Sequence, residues 1–574
     1  MPSVVLQLSE SPSHFIADAF ERLVILEGKQ LDAVLEHVID ACKREVNDDG
    51  LLKRLPLLTA ANLDSTQNGA IVRYRCMVQD MREPEYFQSM YCTIDNSKPN
   101  SEQLCCNLWK ETLEIPDGYE YRADHSRNKT SERHVFVGAS IPGETMWARQ
   151  YYRSISAAVA TDGVASGEHL PTGQCLLKIY HNGDVVKLNE VLEVVGIFYS
   201  SENTEQSRDD VETVASAVAL AENGGQIRTK KKSKPIPCIH VLYFDKLKHH
   251  HPELTLPNAR CEEQEIRSLL VRTLNGNVPE FRASLVKYLT ENFFKGDELV
   301  SEYVLCHLMS SVYARDNLGT AVGHFALNIF NVQTKDYGSD WVQTHIRPLL
   351  EELLTQVAYL PLSLPILNSS SLVSRKCYDT DRLISGHLQL PKGTEVVIDE
   401  TKLQAGQLDT QGVKNVAALR GMIKWQKLDY DFGFNTCEFS TDLRSLIISE
   451  GPSILPADYA IPIRLQQIHP NANSDVEEQS SFLKEEKYID SARIYFALAP
   501  ILSFTIDENM QNRIQEDFVA LRRESDGNVT GEYLHRLLTL ARMLSLSFGD
   551  SRLRSEIWNK AKRMEAERLE RLKK

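Results

Sequence analysis

The sequence predicts a multidomain protein of mixed α+β and α/β class, in which a β-rich domain precedes an alternating α/β domain and a helical C-terminal region. Three observations support this prediction. Short β-rich segments follow one another from Ala70 to about residue 200, strand-like and helical segments alternate from residue 236, and helical spacing continues from Asp475 onward. A chain of 574 residues can bury several hydrophobic cores.

Changes in residue composition divide the chain into five predicted regions. They are a helical segment at 1–60, a β domain at 61–200, a polar and basic linker at 201–235, an α/β domain at 236–465 and a helical region at 466–574. The strand-like segments of the β domain are AIVRYRCMVQDM, FQSMYCTI, RHVFVGASI, CLLKIY and VLEVVGIFYS. Five or so short strands favour a small barrel, with the OB-fold as the leading choice.

An OB-fold raises the possibility of binding to single-stranded nucleic acid. The side chains that could stack on bases or contact phosphates are Tyr74, Tyr86, Phe87, Tyr91, Arg73, Arg75 and Arg82. The alternative, that the aromatic side chains fill the barrel or a protein interface, is favoured because the region is not strongly basic. The net charge of −15 also argues against a protein whose main task is to grip nucleic-acid phosphates.

Neither a metal nor a cofactor is expected. The eleven cysteines are scattered without a CxxC pair, which disfavours a structural zinc site and fits a reducing compartment. The adjacent side chains of His249, His250 and His251 point in different directions, so we expect surface histidines there. No apolar run reaches the roughly 20 residues of a membrane helix, and no secretory signal is recognisable at the N-terminus.

The predicted linker carries a short basic run. Its lysines are Lys230, Lys231, Lys232 and Lys234, just before Pro235. Such a run is a candidate nuclear import signal, and a plain solvated stretch is the alternative. A signal of this kind predicts a nuclear protein.

The α/β domain is organised around SGHLQLPKGTEVVIDETKL, residues 385–403. The apolar run of EVVI predicts a strand covered on both faces, preceded by a GHLQL strand. Asp399 and Glu400 follow at the end of the strand, where an acidic pair could hold magnesium and orient water on a nucleotide phosphate. The alternative, which the stretch alone favours, is that a buried strand ends in two solvated acids.

A working nucleotide site also needs a phosphate loop, and the expected position lacks one. The candidate strand FALNIF is followed by NVQTKDY and then by a predicted helix from Trp341 to Tyr359. The loop has no glycine before Gly338 and no Lys-Ser or Lys-Thr pair, whereas phosphate loops need both. We therefore predict no catalytic residues and at most a vestigial site at Asp399 and Glu400.

The remaining elements of the α/β domain alternate in type. The predicted strands include IPCIHVLYFDKL and SLIIS, and the predicted helices span 261–292, 297–313 and 412–425. A hairpin, WQKLDYDFGFNTCEF, is expected to turn at Gly433.

The hairpin supplies candidate partner contacts. Trp425, Tyr430 and Phe432 suit an anchor in a protein interface. The alternative, a local hydrophobic core, is favoured because so aromatic a hairpin would be costly to leave exposed. Its acids, which are Asp429, Asp431 and Glu438, outnumber Lys427, so we expect no contact with DNA.

At this point the chain resembles a known family. GHLQLPKGTEVVIDETKL is similar to a segment of the minichromosome maintenance (MCM) replicative helicases, as are the helix near Leu299 to Ala314 and the lid-like VTGEYLHRLLTLARMLSLSFGD. The resemblance implies an OB-like domain followed by a degenerate AAA+ module with a C-terminal helical lid. Glu532 falls where the helicase lid carries an arginine, and the sensor strand ends in Ser449-Glu450 where asparagine is usual.

A closer resemblance covers nearly the whole chain and is to the MCM-complex-binding protein family. The strings that carry it are VRYRCMVQDM at 72–81, IPGETMW at 141–147, VIDETKLQAGQLDTQGVKNVAAL at 397–419, WQKLDYDF at 425–432 and SEGPSILPAD at 449–458. The segment at 151–173 is shorter than the polar insertion that the family often carries there.

The resemblance implies a nuclear, non-catalytic partner of MCM helicase subunits, associated with several of them in place of one. It implies support of MCM complex assembly and of removal from chromatin during DNA replication, and a role in sister-chromatid cohesion and hence in mitosis, cell division and the cell cycle. Direct nucleic-acid binding and membrane association are not expected. The rival interpretation is a weak ATPase or a single-stranded nucleic-acid-binding protein, motivated by Asp399, Glu400 and the OB-like domain.

Overall fold

The computed structural model describes residues 8, 10–48, 51–98, 101–154, 173–200, 236–247, 251, 263–274, 276–317, 319–464, 486–524 and 530–573. Within these residues the chain is a mixture of helices and sheets, which confirms the mixed class predicted from the sequence. The chain divides into two compact units, the first of Met1–Pro142, Gln150–Lys248 and Ser374–Ser385 and the second of Gly143–Arg149, His249–Val373 and Gly386–Lys574.

Fifteen α-helices lie within the described ranges and are numbered α1 to α15 in chain order. Their bounds are Pro12–Phe20, Asp32–Asp48, Leu51–Arg54, Met146–Ser154, Glu263–Thr273, Val278–Asn292, Glu298–Leu308, Thr334–Tyr337, Arg347–Leu353, Leu364–Ser369, Thr410–Trp425, Glu486–Leu498, Glu508–Glu524, Gly531–Ser547 and Ser555–Lys573. Hydrogen bonds from backbone N–H groups to capping side chains define the N-termini of several helices. The carboxylates of Asp297 and Asp409, for example, accept backbone N–H groups three residues ahead at α7 and α11.

The strands in the same ranges are numbered β1 to β20. Their bounds are Leu57–Leu58, Ile71–Met81, Glu85–Asp95, Glu102–Cys106, Tyr119–Tyr121, Lys129–Ala139, Cys175–Ile179, Val191–Tyr199, Cys238–Lys246, Ala314–Arg315, Ala321–Val322, Leu327–Phe330, Val357–Pro361, Arg375–Cys377, Arg382–Ile384, Glu395–Asp399, Lys427–Asp431, Thr436–Ser440, Arg444–Ile448 and Tyr459–Pro462. The five strands predicted for the β domain are confirmed as β2, β3, β6, β7 and β8.

In the first unit five strands pair in a closed sequence. β2 is antiparallel to β6 and β8, β6 is antiparallel to β7, β8 is antiparallel to β9, and β7 is parallel to β9. β3, β4 and β5 lie between β2 and β6 in the chain and form an antiparallel extension along β3. Helices α1 to α3 cover part of the sheet, where Val34, Val38 and Leu52 pack in one cluster with Val195 and Leu242.

The strand IPCIHVLYFDKL was expected to open the α/β domain, and this placement is wrong. It forms β9, which pairs with β7 and β8 and completes the closed sequence of the first unit. Its apolar stretch suits any strand that is buried on both faces, so the sequence pattern could not distinguish the two sheets.

The second unit is built on a fully parallel sheet in the order β13-β16-β19-β12-β20. Its interior strand β16 buries all five of its residues, as the apolar run of EVVI predicts. The predicted strand SLIIS is confirmed as β19, the predicted helix at Gly412 to Trp425 as α11, and the hairpin that turns at Gly433 as β17 and β18. The C-terminal region is helical from α12 to α15, as expected.

Two predictions for this unit are wrong, and two others differ from the structure only in their bounds. The helix expected to run to Tyr359 ends at Leu353, and the chain then forms β13. The helical patterns at 261–292 and 297–313 are confirmed as helical, although the first is divided into α5 and α6 and the second ends at Leu308 as α7. The GHLQL segment is a loop in which Leu388 bonds through its N–H to the Leu372 carbonyl, and a Cβ at Gly386 would lie 2.4 Å from that same oxygen.

Residues 143–147, the GETMW part of the IPGETMW string, have a packing role in the second unit. Gly143 has a φ of +72°, and its carbonyl accepts the N–H of Val357. The Thr145 hydroxyl and the Trp147 indole N–H both donate to the Leu354 carbonyl, at 3.0 Å each. The string therefore holds the turn that leads into β13.

Candidate functional site

The candidate site lies at one edge of the parallel sheet. β12, β16 and β19 run in the same direction, so their carboxyl ends, with Asn331, Asp399 and Ser449 just at or beyond them, share that edge. Ligands of open α/β sheets bind at such an edge. The sequence places Asp399 and Glu400 where a nucleotide would bind. The contacts of the two side chains show what they do there.

Asp399 is 1% exposed and is fully engaged by neighbouring side chains and backbone. Its Oδ2 accepts the Tyr359 hydroxyl at 2.7 Å, and its Oδ1 accepts the backbone N–H and the hydroxyl of Thr401 at 3.0 and 2.6 Å. These contacts cap the short 3₁₀ turn Glu400–Lys402. The carboxylate has a structural task that occupies both of its oxygens.

Glu400 is also buried, at 7% exposure. Its Oε1 accepts the Ser453 hydroxyl at 2.9 Å. Burial raises the pKa of Glu400 above its ordinary value, although Ser453 and the backbone N–H groups of Ile454 and Leu455 oppose the shift. The alternative prediction of two solvated acids is therefore wrong for both residues.

The loop after β12 uses its amides within the protein. The N–H of Val332 donates to the Ser449 carbonyl, and those of Asp336 and Tyr337 donate to the Gln333 carbonyl. Asn331 has a φ of +66°, and its side chain donates to the Ile463 carbonyl. A phosphate cradle requires convergent backbone amides that are open to a ligand, and these three amides bond instead to carbonyl groups of the protein.

The opposite edge of the sheet carries a second buried carboxylate at the start of β16. Glu395 is fully buried and lies 2.7 Å from Nε2 of His307 and 3.0 Å from Nε of Arg444. Burial alone would raise the pKa of Glu395, but His307 and Arg444 hold it below its ordinary value. This ion cluster ties α7, β16 and β19 together.

The aromatic residues of the predicted partner interface separate into two groups. Tyr430 is fully buried and lies 4.6 Å from Phe439 between ring centroids, so its assignment to a partner surface is corrected to the local core. Phe432 is half-buried, Trp425 is 48% exposed, and Phe434 at the hairpin turn is 95% exposed. Of the four, Trp425 exposes about half of its surface and Phe434 nearly all of it.

The charges of the hairpin are partly used within it. Lys427 pairs with Glu438 at 2.8 Å, and Oδ1 of Asp431 accepts the Gly433 N–H at the turn. Asp429 is exposed. With its single lysine already paired to an acid, the hairpin offers little attraction to nucleic-acid phosphates.

The side chains proposed for base stacking in the first unit are mostly internal. Tyr74 and Tyr91 are 2% and 1% exposed and donate to the Gly173 and Glu114 carbonyls. Arg73 pairs with Glu193, and the Arg75 guanidinium lies 3.3 Å from the centroid of the Tyr152 ring. The single-stranded nucleic-acid hypothesis is therefore wrong for these four residues, whose role is to fill and connect the sheet.

Other predicted residues have simpler outcomes. Lys230, Lys231, Lys232 and Lys234 lie outside the described residues. Glu532 is exposed at the start of α14 and lies 3.7 Å from Arg536, one turn further along. His251 is buried beside Trp147, which corrects the expectation of a surface histidine there, and burial lowers its pKa to about 4.

Sequence reasoning missed two residues that define the candidate site. Tyr359 was assigned to a helix, and Ser453 lies 53 residues from Glu400 in the chain. The segment VAYLPL, with a β-branched and an aromatic residue ahead of a proline, could have indicated a strand at Tyr359. No local pattern connects Ser453 to Glu400.

Comparison with known proteins gives consistent results over nearly the full length. A family model described as mini-chromosome maintenance replisome factor matches residues 42–169 and 166–572. The chain is 30% identical to the mini-chromosome maintenance complex-binding protein of Gallus gallus, with 93% of each chain covered. Identity is 28% to the protein of that name from Homo sapiens and 26% to that from Arabidopsis thaliana, over at least 93% of each chain. No helix among the described residues is long and apolar enough to cross a membrane.

Proposed function

The chain belongs to the mini-chromosome maintenance replisome factor family, and from that membership we propose that it binds subunits of the MCM replicative helicase. The observation that carries the proposal is the extent of the match, which includes most of both compact units. Function resides in surfaces and sites rather than in a fold alone, so similarity along the whole chain is stronger support than a shared domain type.

The proposed role is that of a binding partner without catalysis. The acids at the sheet edge are engaged by Tyr359, Thr401 and Ser453, and three amides of the neighbouring loop bond to carbonyl groups of the protein. A subunit that keeps its interaction faces and lacks nucleotide chemistry can still occupy a position beside helicase subunits.

The finer fold assignments belong to the same proposal. The closed pairing of β2, β8, β9, β7 and β6 supports an OB-like domain in the first unit. The parallel sheet of the second unit, with its first strand β12 in the interior, supports a degenerate AAA+-like domain. Helices α12 to α15 would then form the lid.

The cellular role extends the proposal further. We infer that the protein supports assembly of the MCM complex and its removal from chromatin during DNA replication, and thereby sister-chromatid cohesion.

The test is binding of the full chain to purified MCM helicase subunits, measured by co-purification and calorimetry, together with calorimetry against Mg-ATP. We expect stable association with one or more subunits and no nucleotide binding at micromolar concentrations. An active MCM helicase subunit serves as the positive control for nucleotide. Failure to bind every subunit would contradict the proposed role, and micromolar ATP affinity would contradict its non-catalytic character.

Nuclear residence is proposed from the basic run at Lys230 to Lys234. Changing all four of its lysines to alanine is expected to move the protein to the cytoplasm without changing its affinity for helicase subunits. The matched control replaces Lys43, Lys53, Lys98 and Lys414 with alanine, which removes the same charge elsewhere. Unaltered nuclear accumulation of the first variant, scored by fluorescence microscopy, would reject the assignment.

A further inference from the structure

An open apolar groove lies on the second unit, between α11 and the loop that precedes β20. It has a volume of about 600 Å³, and its apolar wall includes Ala417, Gly421, Trp425, Ile454, Leu455 and Pro456. We call it the α11 groove. It adjoins the acidic edge of the sheet, since the backbone N–H groups of Ile454 and Leu455 in its wall face Glu400, but neither Asp399 nor Glu400 lines it.

Two large apolar side chains of the groove stand partly in water. Trp425, at the end of α11, is 48% exposed, and Ile454, on the loop, is 43% exposed. Exposed aromatic and aliphatic side chains around a concave surface are the usual anchors of a protein interface. The groove therefore offers apolar contact area from both elements that form it.

Two cations border this apolar wall. Arg420 and Lys424 are exposed one turn apart on α11 and both line the groove. A guanidinium nitrogen of Arg420 donates to the Ile454 carbonyl at 3.1 Å, and the Lys424 ammonium lies 4.9 Å from the centroid of the Trp425 ring. Among the residues that the structure describes, no carboxylate pairs with either cation or lines the groove.

The charge of the groove is opposite to that of the chain as a whole, which carries −15. An apolar cleft with uncompensated cations favours a ligand that combines a bulky apolar side chain with flanking acids, since unlike charges steer association and like charges oppose it.

From this arrangement we infer that the α11 groove docks a segment of an MCM helicase subunit in which an apolar side chain is flanked by aspartate or glutamate. The inference rests on the proposed function, because it names the helicase subunit as the partner. The apolar side chain enters between Trp425 and Ile454, and the acids of the segment meet Arg420 and Lys424. Trp425, predicted from the sequence as a partner contact, keeps that role here, whereas Tyr430 does not share it.

The experiment compares two charge reversals on one helix in the full-length protein. Lys424→Glu changes a lysine that lines the groove, and Lys414→Glu changes an exposed lysine of α11 that does not. Both alter the net charge equally. We expect Lys424→Glu to weaken binding to purified helicase subunits about tenfold and Lys414→Glu to leave it within about twofold. Thermal melting should be unchanged in both variants.

A second variant tests the apolar contact without changing charge. Ala417 is exposed and lines the groove, so Ala417→Trp fills the space with little disturbance of the core. Val413→Trp, on the same helix but outside the groove, is its control. We expect Ala417→Trp to weaken subunit binding about tenfold while the control binds as the wild type does.

The outcomes are distinguishable. Wild-type affinity in Lys424→Glu and Ala417→Trp would overturn the groove assignment and leave the proposed function standing. An equal loss in Lys414→Glu would overturn it as well, because it would indicate general charge attraction. If the wild type binds no subunit, both proposals fail. If light scattering shows a dimer that Lys424→Glu dissociates, the occupant is a second copy of the chain, with exposed Phe434 and Asp429 of its hairpin as the candidate segment, and the inference is overturned.

Discussion

The two ends of β16 bury carboxylates in opposite ways. At its start, Glu395 is held by the charged or chargeable side chains of Arg444 and His307. At its end, Asp399 and Glu400 receive only neutral donors from Tyr359, Thr401 and Ser453. One strand of five residues therefore carries an ion cluster at one edge of the sheet and an uncompensated acidic pair at the other.

The pKa directions follow this difference. Burial would raise the pKa of Glu395, but its ion pairs lower it below the ordinary value, whereas burial prevails at Glu400 and raises its pKa. In a nucleotide site, a magnesium ion near Asp399 and Glu400 would supply the positive charge that these two carboxylates lack. Here hydroxyl and amide donors contact the two carboxylates.

Removal of Glu395 tests the charged end and should have the largest effect. Glu395→Ala leaves His307 and Arg444 without their buried counter-charge, so we expect the free energy of unfolding to fall by about 3–5 kcal/mol. Because the pKa of Glu395 is lowered on folding, its contribution is fully present above its ordinary pKa of 4.5 and is lost as the pH falls through the folded value. Urea denaturation at pH 7 measures the first effect, and a pH series that extends well below 4.5 measures the second.

Glu395→Gln is the matched control for this prediction. It keeps the volume and one acceptor oxygen, so it should cost less than the alanine variant while still removing the charge. Equal stability of wild type and Glu395→Ala at pH 7 would show that the cluster contributes nothing, and the contrast between the two ends of β16 would then disappear.

Asp399 tests the neutral end and should give an intermediate effect. Asp399→Asn keeps an acceptor for Thr401 and loses the charge-assisted bond from Tyr359, so we expect a loss of about 1–2 kcal/mol in the free energy of unfolding. Tyr359→Phe removes the same bond from the other partner, and a double-mutant cycle should show that the two losses are not additive. A loss for Asp399→Asn that appears only with Mg-ATP present would instead indicate a nucleotide site.

The fold was predictable where local patterns and packing agree. Three consecutive apolar residues, Val396 to Ile398, predicted the buried β16, and the hairpin was visible from its turn and alternation. β13 was not predicted because Leu349, Leu350 and Leu353 continue a helical spacing up to the strand. Residues 357–361 form a strand because they pair with β16, a tertiary contact that the local sequence does not show.

The sequence was sufficient to identify the acidic residues of the candidate site, but it did not predict which side chains contact them. Asp399 and Glu400 could be found from their position after an apolar strand, but their burial depends on Tyr359 and Ser453, which no spacing connects to them. The hairpin contained a usable signal that was overlooked. In Leu428, Asp429 and Tyr430, buried and exposed positions alternate, which places Tyr430 on the inner face with Leu428.

Glu400 provides the smallest effect and the sharpest test of the contrast with Glu395. Its pKa is raised on folding, so above that pKa the charged carboxylate costs stability, and the cost falls as the pH falls through the folded value towards the ordinary 4.5. Glu400→Gln removes the charge and keeps an acceptor for Ser453. We expect the variant to be as stable as the wild type or up to about 1 kcal/mol more stable at pH 7, with the difference vanishing near pH 4. Its affinity for helicase subunits should be unchanged, whereas in an ATPase this substitution would abolish turnover. Destabilisation by Glu400→Gln at pH 7, measured by urea denaturation beside Glu395→Gln, would mean that the two ends of β16 hold their carboxylates by the same means.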